Sequence, residues 1–143
     1  MKKPLDSTRF ENLTLLKKSE TDVQISPDNS QLEAFENIYA GRNYEITFDC
    51  PEFTSLCPVT GQPDFGKITI RYIPDKLCVE SKSLKLFLFS FRNHNTFHEE
   101  AVNTILDRVV ETCSPHSAEV TGEFRPRGGI AITVKAVYPD IIK

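Results

Sequence analysis

The sequence predicts an α+β domain in which a four-stranded antiparallel sheet carries two helices on one face. Strict apolar–polar alternation opens and closes the patterned part of the chain. Helical apolar stripes fill its middle, and a Pro-Arg-Gly-Gly turn joins the last two alternating stretches. The order of elements is therefore strand, strand, helix, helix, strand, strand.

Between Asn43 and Cys50, Tyr44, Ile46, Phe48 and Cys50 face one way and Asn43, Glu45, Thr47 and Asp49 the other. Between Lys67 and Tyr72, Ile68, Ile70 and Tyr72 oppose Lys67, Thr69 and Arg71. Both are patterns of strands buried on one face. Pro51 to Gly66 reads as a long insert between them, and a Pro-, Thr- and Gly-rich insert in a small domain is more often functional than structural. Ser83 to about Asn93 sets Leu84, Phe87, Leu88 and Phe91 at helical spacing. Thr96-Phe97-His98-Glu99 has the form of a capping box, opening a helix with Ala101, Val102, Ile105, Leu106, Val109 and Val110 on one stripe. Ala118, Val120, Gly122 and Phe124, the turn Pro126-Arg127-Gly128-Gly129, and Ile130, Ile132, Val134 and Ala136 make the closing hairpin.

Upstream, Ser26–Ser30 is a turn cluster, and Ser30-Gln31-Leu32-Glu33 has the form of a capping box for a short helix toward Ile38. Residues 1–40 are expected to form an N-terminal arm on a single domain of residues 41–143. A sheet this small leaves two edges open to another chain, so a homo-oligomer that closes such sheets into a barrel is expected.

A chain of 143 residues, 39% hydrophobic and 26% charged, suffices for one soluble core. Its net charge of -3 disfavours a phosphate-backbone binder, so no nucleic acid partner is expected. Met1 to Asp6 show no apolar stretch behind their lysines, and the longest apolar run, Leu84 to Phe91, is short and broken by Lys85. No signal peptide or membrane span is therefore expected, and a cytoplasmic location follows. Cys50, Cys57, Cys78 and Cys113 are irregularly spaced and read as reduced thiols.

Chemistry is concentrated in the insert. Cys57 precedes Pro58, a residue suited to the first turn of a short helix, where unpaired N–H groups favour thiolate. Asp64 follows two turn signals that can fold it back toward the sulfur, which pairs a nucleophile with a proton donor. The residues alone are equally consistent with a small buried cysteine and a turn aspartate. A zinc site on Cys50, Cys57, His94 and His98 is a second possibility, weakened by the helix break at Asn95-Thr96 and the lack of a Cys-x-x-Cys pair. Glu99 sits where it either completes a cap or accepts a pair of N–H groups from a purine-type ring. Lys82 and Lys85, one turn apart, suit a dinucleotide phosphate, and Arg125, Arg127 and the last-turn glycines add anion contacts. No G-x-G-x-x-G occurs, so a nicotinamide cofactor is not held in a Rossmann manner.

Cys-Pro-Glu-Phe-Thr-Ser-Leu-Cys-Pro (50–58), Thr-Gly-Gln-Pro-Asp-Phe (60–65), Glu-Ser-Lys-Ser-Leu-Lys (80–85), Phe-Arg-Asn-His (91–94) and Phe-His-Glu (97–99) together resemble the NADPH-dependent 7-cyano-7-deazaguanine reductases, the nitrile reductases of the queuosine pathway. The resemblance is to the single-module type and runs from about residue 38 to the C-terminus. It implies the tunnelling fold, barrels closed between subunits and intersubunit active sites. It also implies that Cys57 adds to a nitrile to give a thioimide and that Asp64 donates the proton. Two NADPH would complete a four-electron reduction to the amine. His98 and Glu99 would hold the deazaguanine, helped by Val79, Glu80 and Ser81. Many members carry a cysteine two residues after the glutamate; Ala101 stands there, so the resemblance does not carry over a protective disulfide to Cys57. A zinc-dependent pterin-forming hydrolase of the same fold and a non-catalytic purine- or pterin-binding protein are the alternatives.

Overall fold

A computed structural model describes residues 26–140. The elements are β1 (Ala34–Glu36), β2 (Ile46–Leu56), β3 (Pro63–Ile73), β4 (Leu77–Val79), α1 (Ser81–Phe89), α2 (His98–Cys113), β5 (Ser117–Arg127) and β6 (Ile130–Tyr138). The expected α+β order holds, with one addition: short β1 and β4 form a separate two-stranded antiparallel sheet.

The main sheet runs β2-β3-β5-β6, every neighbouring pair antiparallel. Its buried face carries Ile68, Ile70 and Tyr72 of β3 and Ala118, Val120 and Phe124 of β5, as the alternation dictates. Against it α2 lays Ala101, Val102, Ile105, Leu106 and Val109, and α1 adds Leu84 and Phe87. A fully buried aliphatic or aromatic side chain contributes about 1.5–3 kcal/mol. The central strands β3 and β5 therefore carry the sheet, while edge strand β6 is only half-buried at Ile132, Val134 and Ala136. The opposite face is charged, with Lys67 across from Glu123 and Arg71 across from Glu119. Gly128 and Gly129, at φ 58° and 81°, make the two-residue turn of the β5–β6 hairpin.

Four sequence expectations need correction. Pro51 to Gly66 is not an insert: β2 and β3 run through most of it, leaving a turn from Cys57 to Gln62. The break in alternation that suggested an insert is a β-bulge between Cys50 and Phe53, where one extra residue shifts the register against Ile68 and Gly66. Residues 34–36 form a strand rather than a helix, because their backbone pairs with Leu77–Val79. Helix α1 begins at Ser81, capped by Glu80, and ends at Phe89, with Phe91 buried in the turns beyond. Finally, Thr96–Glu99 is no capping box: Phe97 occupies the cap position of α2 and offers no side-chain hydrogen bond.

The N-terminal arm falls partly outside the described residues. Within them, Arg108 of α2 donates to the carbonyls of Ser30 (2.7 Å) and Pro27 (3.2 Å) and lies over the Phe87 ring, clasping the Ser26–Ser30 turn to the helices.

Candidate active site

Two bulges at one end of the sheet build the site. Before the bulge in β2 the even-numbered residues face the core; after it Phe53 and Ser55 do, and Cys57 continues that face at 6% exposure. A second irregularity, between Phe124 and Arg127, does the same to the end of β5. It brings Arg127 onto the face where Asp64, 6% exposed, stands on β3, and Nε of Arg127 lies 3.1 Å from Oδ1 of Asp64. The β2–β3 hairpin carries both Cys57 and Asp64, with Asp64 paired across the ladder to Ser55.

The turn after β2 closes on Cys57. Its N–H donates to the Gln62 carbonyl (2.9 Å) and its carbonyl accepts from the Gly61 N–H (2.8 Å), a single helical turn that goes no further. The Cys57 thiol is lowered to about 6 by the Thr60 hydroxyl, the Thr60 N–H, the Arg127 guanidinium and the Val59 N–H, in that order, against a smaller opposing effect of burial. Cys50 and Cys113 go the other way. Burial raises both, Cys113 to about 11. Cys57 is thus set apart from Cys50 and Cys113 by its surroundings.

His98, at the start of α2, is 6% exposed and stacks on Phe124 with ring centroids 3.9 Å apart and planes within 10°. The Phe124 ring lies so close over Gly66 and Gly122 that a Cβ at either position would meet it at 2.8 and 2.7 Å. Among the described residues, His98 Nδ1 and the Ser55 hydroxyl are buried without a hydrogen-bond partner. Next to His98, Glu99 is exposed in the first turn of α2.

The other expected residues gather at the start of α1. Both carboxylate oxygens of Glu80 accept from backbone, Lys82 N and Ser83 N at 2.7 Å each, which holds the carboxyl below its ordinary value. Val79 is buried, and its N–H donates to the Tyr72 hydroxyl. Ser81, Lys82 and Lys85 are exposed. Ser81 and Lys85 line a groove of about 440 Å³ with the bulged part of β2, Leu88, Phe89 and Arg92; neither Cys57 nor Asp64 reaches it within one chain. Arg125, on the opposite face from Arg127, lies over the Phe65 ring. Among the described residues no three of His, Cys, Asp and Glu converge as a metal-holding group.

Sequence reasoning missed Ser55, Thr60, Phe124 and the Arg127–Asp64 pair. The signal for Ser55 was available: the apolar phase slips by one residue at Pro51-Glu52, which places Phe53, Ser55 and Cys57 together on the core face.

Residues 63–141 match the family model described as QueF-like protein. A Streptococcus thermophilus NADPH-dependent 7-cyano-7-deazaguanine reductase is 58% identical over 123 residues, covering 86% of this chain and 76% of the relative. The Streptococcus mutans protein of that name is 53% identical over 128 residues, covering 90% of this chain and 79% of its own. The chain belongs to this reductase family. A third member, from Staphylococcus saprophyticus, is 53% identical over 135 residues, covering 92% and 80%. The crystal structure of an archaeosine synthase QueF-Like in the apo form superposes with a TM-score of 0.61 at 21% identity, over 70% of this chain and 96% of that one; it speaks to the fold alone.

Proposed function

We propose that this chain reduces the nitrile of 7-cyano-7-deazaguanine to the aminomethyl group with NADPH, through a thioimide on Cys57. The observation that carries the reading is the Cys57 thiol, drawn to about 6 by Thr60, Arg127 and the turn N–H groups beside a buried carboxyl group. At neutral pH that sulfur is thiolate and attacks the nitrile carbon, while one C–N π bond opens and nitrogen takes a proton from Asp64. In the free chain Asp64 is ion-paired to Arg127 at 3.1 Å, which fixes the carboxyl group on the face that carries Cys57. Two NADPH, bound in turn, would each supply one hydride, the first to the thioimide and the second to the imine left when the thiolate departs, with a further proton from solvent completing the amine. Covalent retention on Cys57 splits the four-electron reduction and keeps the imine from hydrolysis.

Glu99 and His98 would hold the deazaguanine, Glu99 by accepting ring N–H groups and His98 from its fixed stack on Phe124. Val79, Glu80 and Ser81 form a rigid wall for that ring, since capping and the Tyr72 contact pin them. For the cofactor, the exposed lysines Lys82 and Lys85 beside the groove fit a phosphate, with Arg125 and Arg127 as further cations.

The lysines and Cys57 occupy different places on one chain, which favours sites completed by a second copy. The tunnelling fold supplies such copies, its sheets joining at open edges β2 and β6 into a barrel. Exposed Phe35, Ile38 and Tyr39 add apolar surface for such contacts. In this arrangement residues 1–40 serve as an arm and 41–143 as the catalytic domain, working in the cytoplasm on a free deazapurine rather than on nucleic acid. No helix among the described residues is long and apolar enough to cross a membrane.

The deciding experiment mixes purified protein with the nitrile in the absence of NADPH and follows thioimide absorbance. An adduct in the wild type and none in Cys57→Ala is expected. Turnover by Cys57→Ala would sink the covalent reading, and stoichiometric zinc with activity lost on chelation would favour the pterin-forming hydrolase.

A further inference from the structure

Ser55 is 1% exposed, and its hydroxyl makes no hydrogen bond among the described residues. Buried hydroxyl groups are nearly always partnered, because an unmet one loses its hydration without compensation. A strand position on the core face gains nothing from such a group that alanine would not supply. Ser55 stands directly across the β2–β3 ladder from Asp64, and Cys57 follows two residues later on the same face. Opposed side chains on antiparallel strands have Cβ atoms about 4.5–5.5 Å apart, which puts the hydroxyl within a side-chain rotation of the Asp64 carboxyl group. In the free chain Arg127 engages Oδ1 of Asp64 and leaves Ser55 idle.

We propose that Ser55 is a further positioning residue of the reaction, donating its hydroxyl hydrogen to one Asp64 oxygen so that the proton on the other points at the nitrile nitrogen. The inference rests on Asp64 being the proton donor. During adduct formation the Cys57 sulfur–carbon bond forms, one C–N π bond breaks, and the Asp64 proton moves to nitrogen; the Ser55 proton stays on its oxygen. Without that donor the carboxyl group samples rotamers in which its O–H faces elsewhere, and the acid step slows while binding persists.

The test measures single-turnover thioimide formation across pH, together with thermal melting, for the full chain and its Ser55→Ala, Ser55→Thr, Asp64→Asn and Ser55→Ala/Asp64→Asn variants. Ser55→Ala should bind substrate normally, form the adduct about five- to tenfold more slowly, as expected for one hydrogen bond lost, and melt no lower than wild type. Ser55→Thr should restore the rate. In the Asp64→Asn background Ser55→Ala should have no further effect, because the two act as one unit. An unchanged rate and pH profile in Ser55→Ala, an equal slowing with and without Asp64, or a lowered melting temperature in Ser55→Ala would each overturn the role. No adduct in the wild type would overturn the reading of the site and this inference with it; an adduct there with an unaffected Ser55→Ala variant overturns the inference alone.

Discussion

Arg127 and Asp64 meet at 3.1 Å because the end of β5 changes face between Phe124 and Arg127. Without that irregularity Arg127 would project with Arg125 onto the opposite face, away from the cysteine. The guanidinium that pairs with the Asp64 carboxyl group also helps lower the Cys57 thiol, so one cation acts on both groups. Any anionic group that drew on Arg127 would compete with Asp64 for it.

The first consequence is a pH profile. The thiolate is the reactive form, so alkylation of Cys57 by iodoacetamide, followed by mass spectrometry, should rise through pH about 6 and level off above it. Labelling falls as pH drops below that value. Cys50 and Cys113, raised by burial, should stay unlabelled across the same range. Thr60→Val should move the midpoint upward more than Arg127→Gln, because Thr60 makes the larger contribution. A midpoint at the ordinary thiol value in the wild type would contradict the arrangement.

A second consequence concerns packing under the histidine. A methyl group at Gly122 would lie 2.7 Å from both the Phe124 ring and Cγ2 of Val102, which press on it from two sides. Neither neighbour has room to yield, since Val102 is fully buried and Phe124 is 4% exposed. Gly122→Ala should cost about 1–3 kcal/mol in urea unfolding, the usual range for overpacking a core. It should also disturb His98, whose ring rests on Phe124. Stability equal to wild type would mean that the ring moves freely.

Much of this was legible in the residues. The alternation at Lys67–Tyr72 and Ala118–Phe124 and the stripe on α2 follow from burial on one face, which local pattern reports directly. Cys57 and Asp64 stood out by type and spacing. The bulge at Pro51-Glu52 did not, because an added residue mimics the end of a strand unless the pattern is followed into its new phase. The β1–β4 pair depends on partners more than forty residues apart, whereas the capping-box pattern at Ser30-Gln31-Leu32-Glu33 pointed to a helix. Arg127 was read as an anion-binding cation; that the anion beside it is Asp64 is a fact of tertiary register.

The last prediction separates the two carboxyl groups. Asp64 is buried and paired with Arg127, whereas Glu99 is exposed on the first turn of α2. If Asp64 supplies the proton, Asp64→Asn keeps the shape and the hydrogen-bonding reach of the side chain but has no acid to give. Deazaguanine binding should persist while reduction slows about a hundred- to ten-thousandfold, the usual loss for a general acid. Glu99→Ala leaves the reacting centre intact and strands N–H donors on the ligand. Affinity should then fall about ten- to a hundredfold, the worth of one charge-assisted hydrogen bond, with the rate at saturation little changed. Isothermal titration reports the first quantity and single-turnover reduction the second. Loss of binding in Asp64→Asn with retention in Glu99→Ala would reverse the two roles, and a loss of both in either variant would mean that one residue performs both tasks.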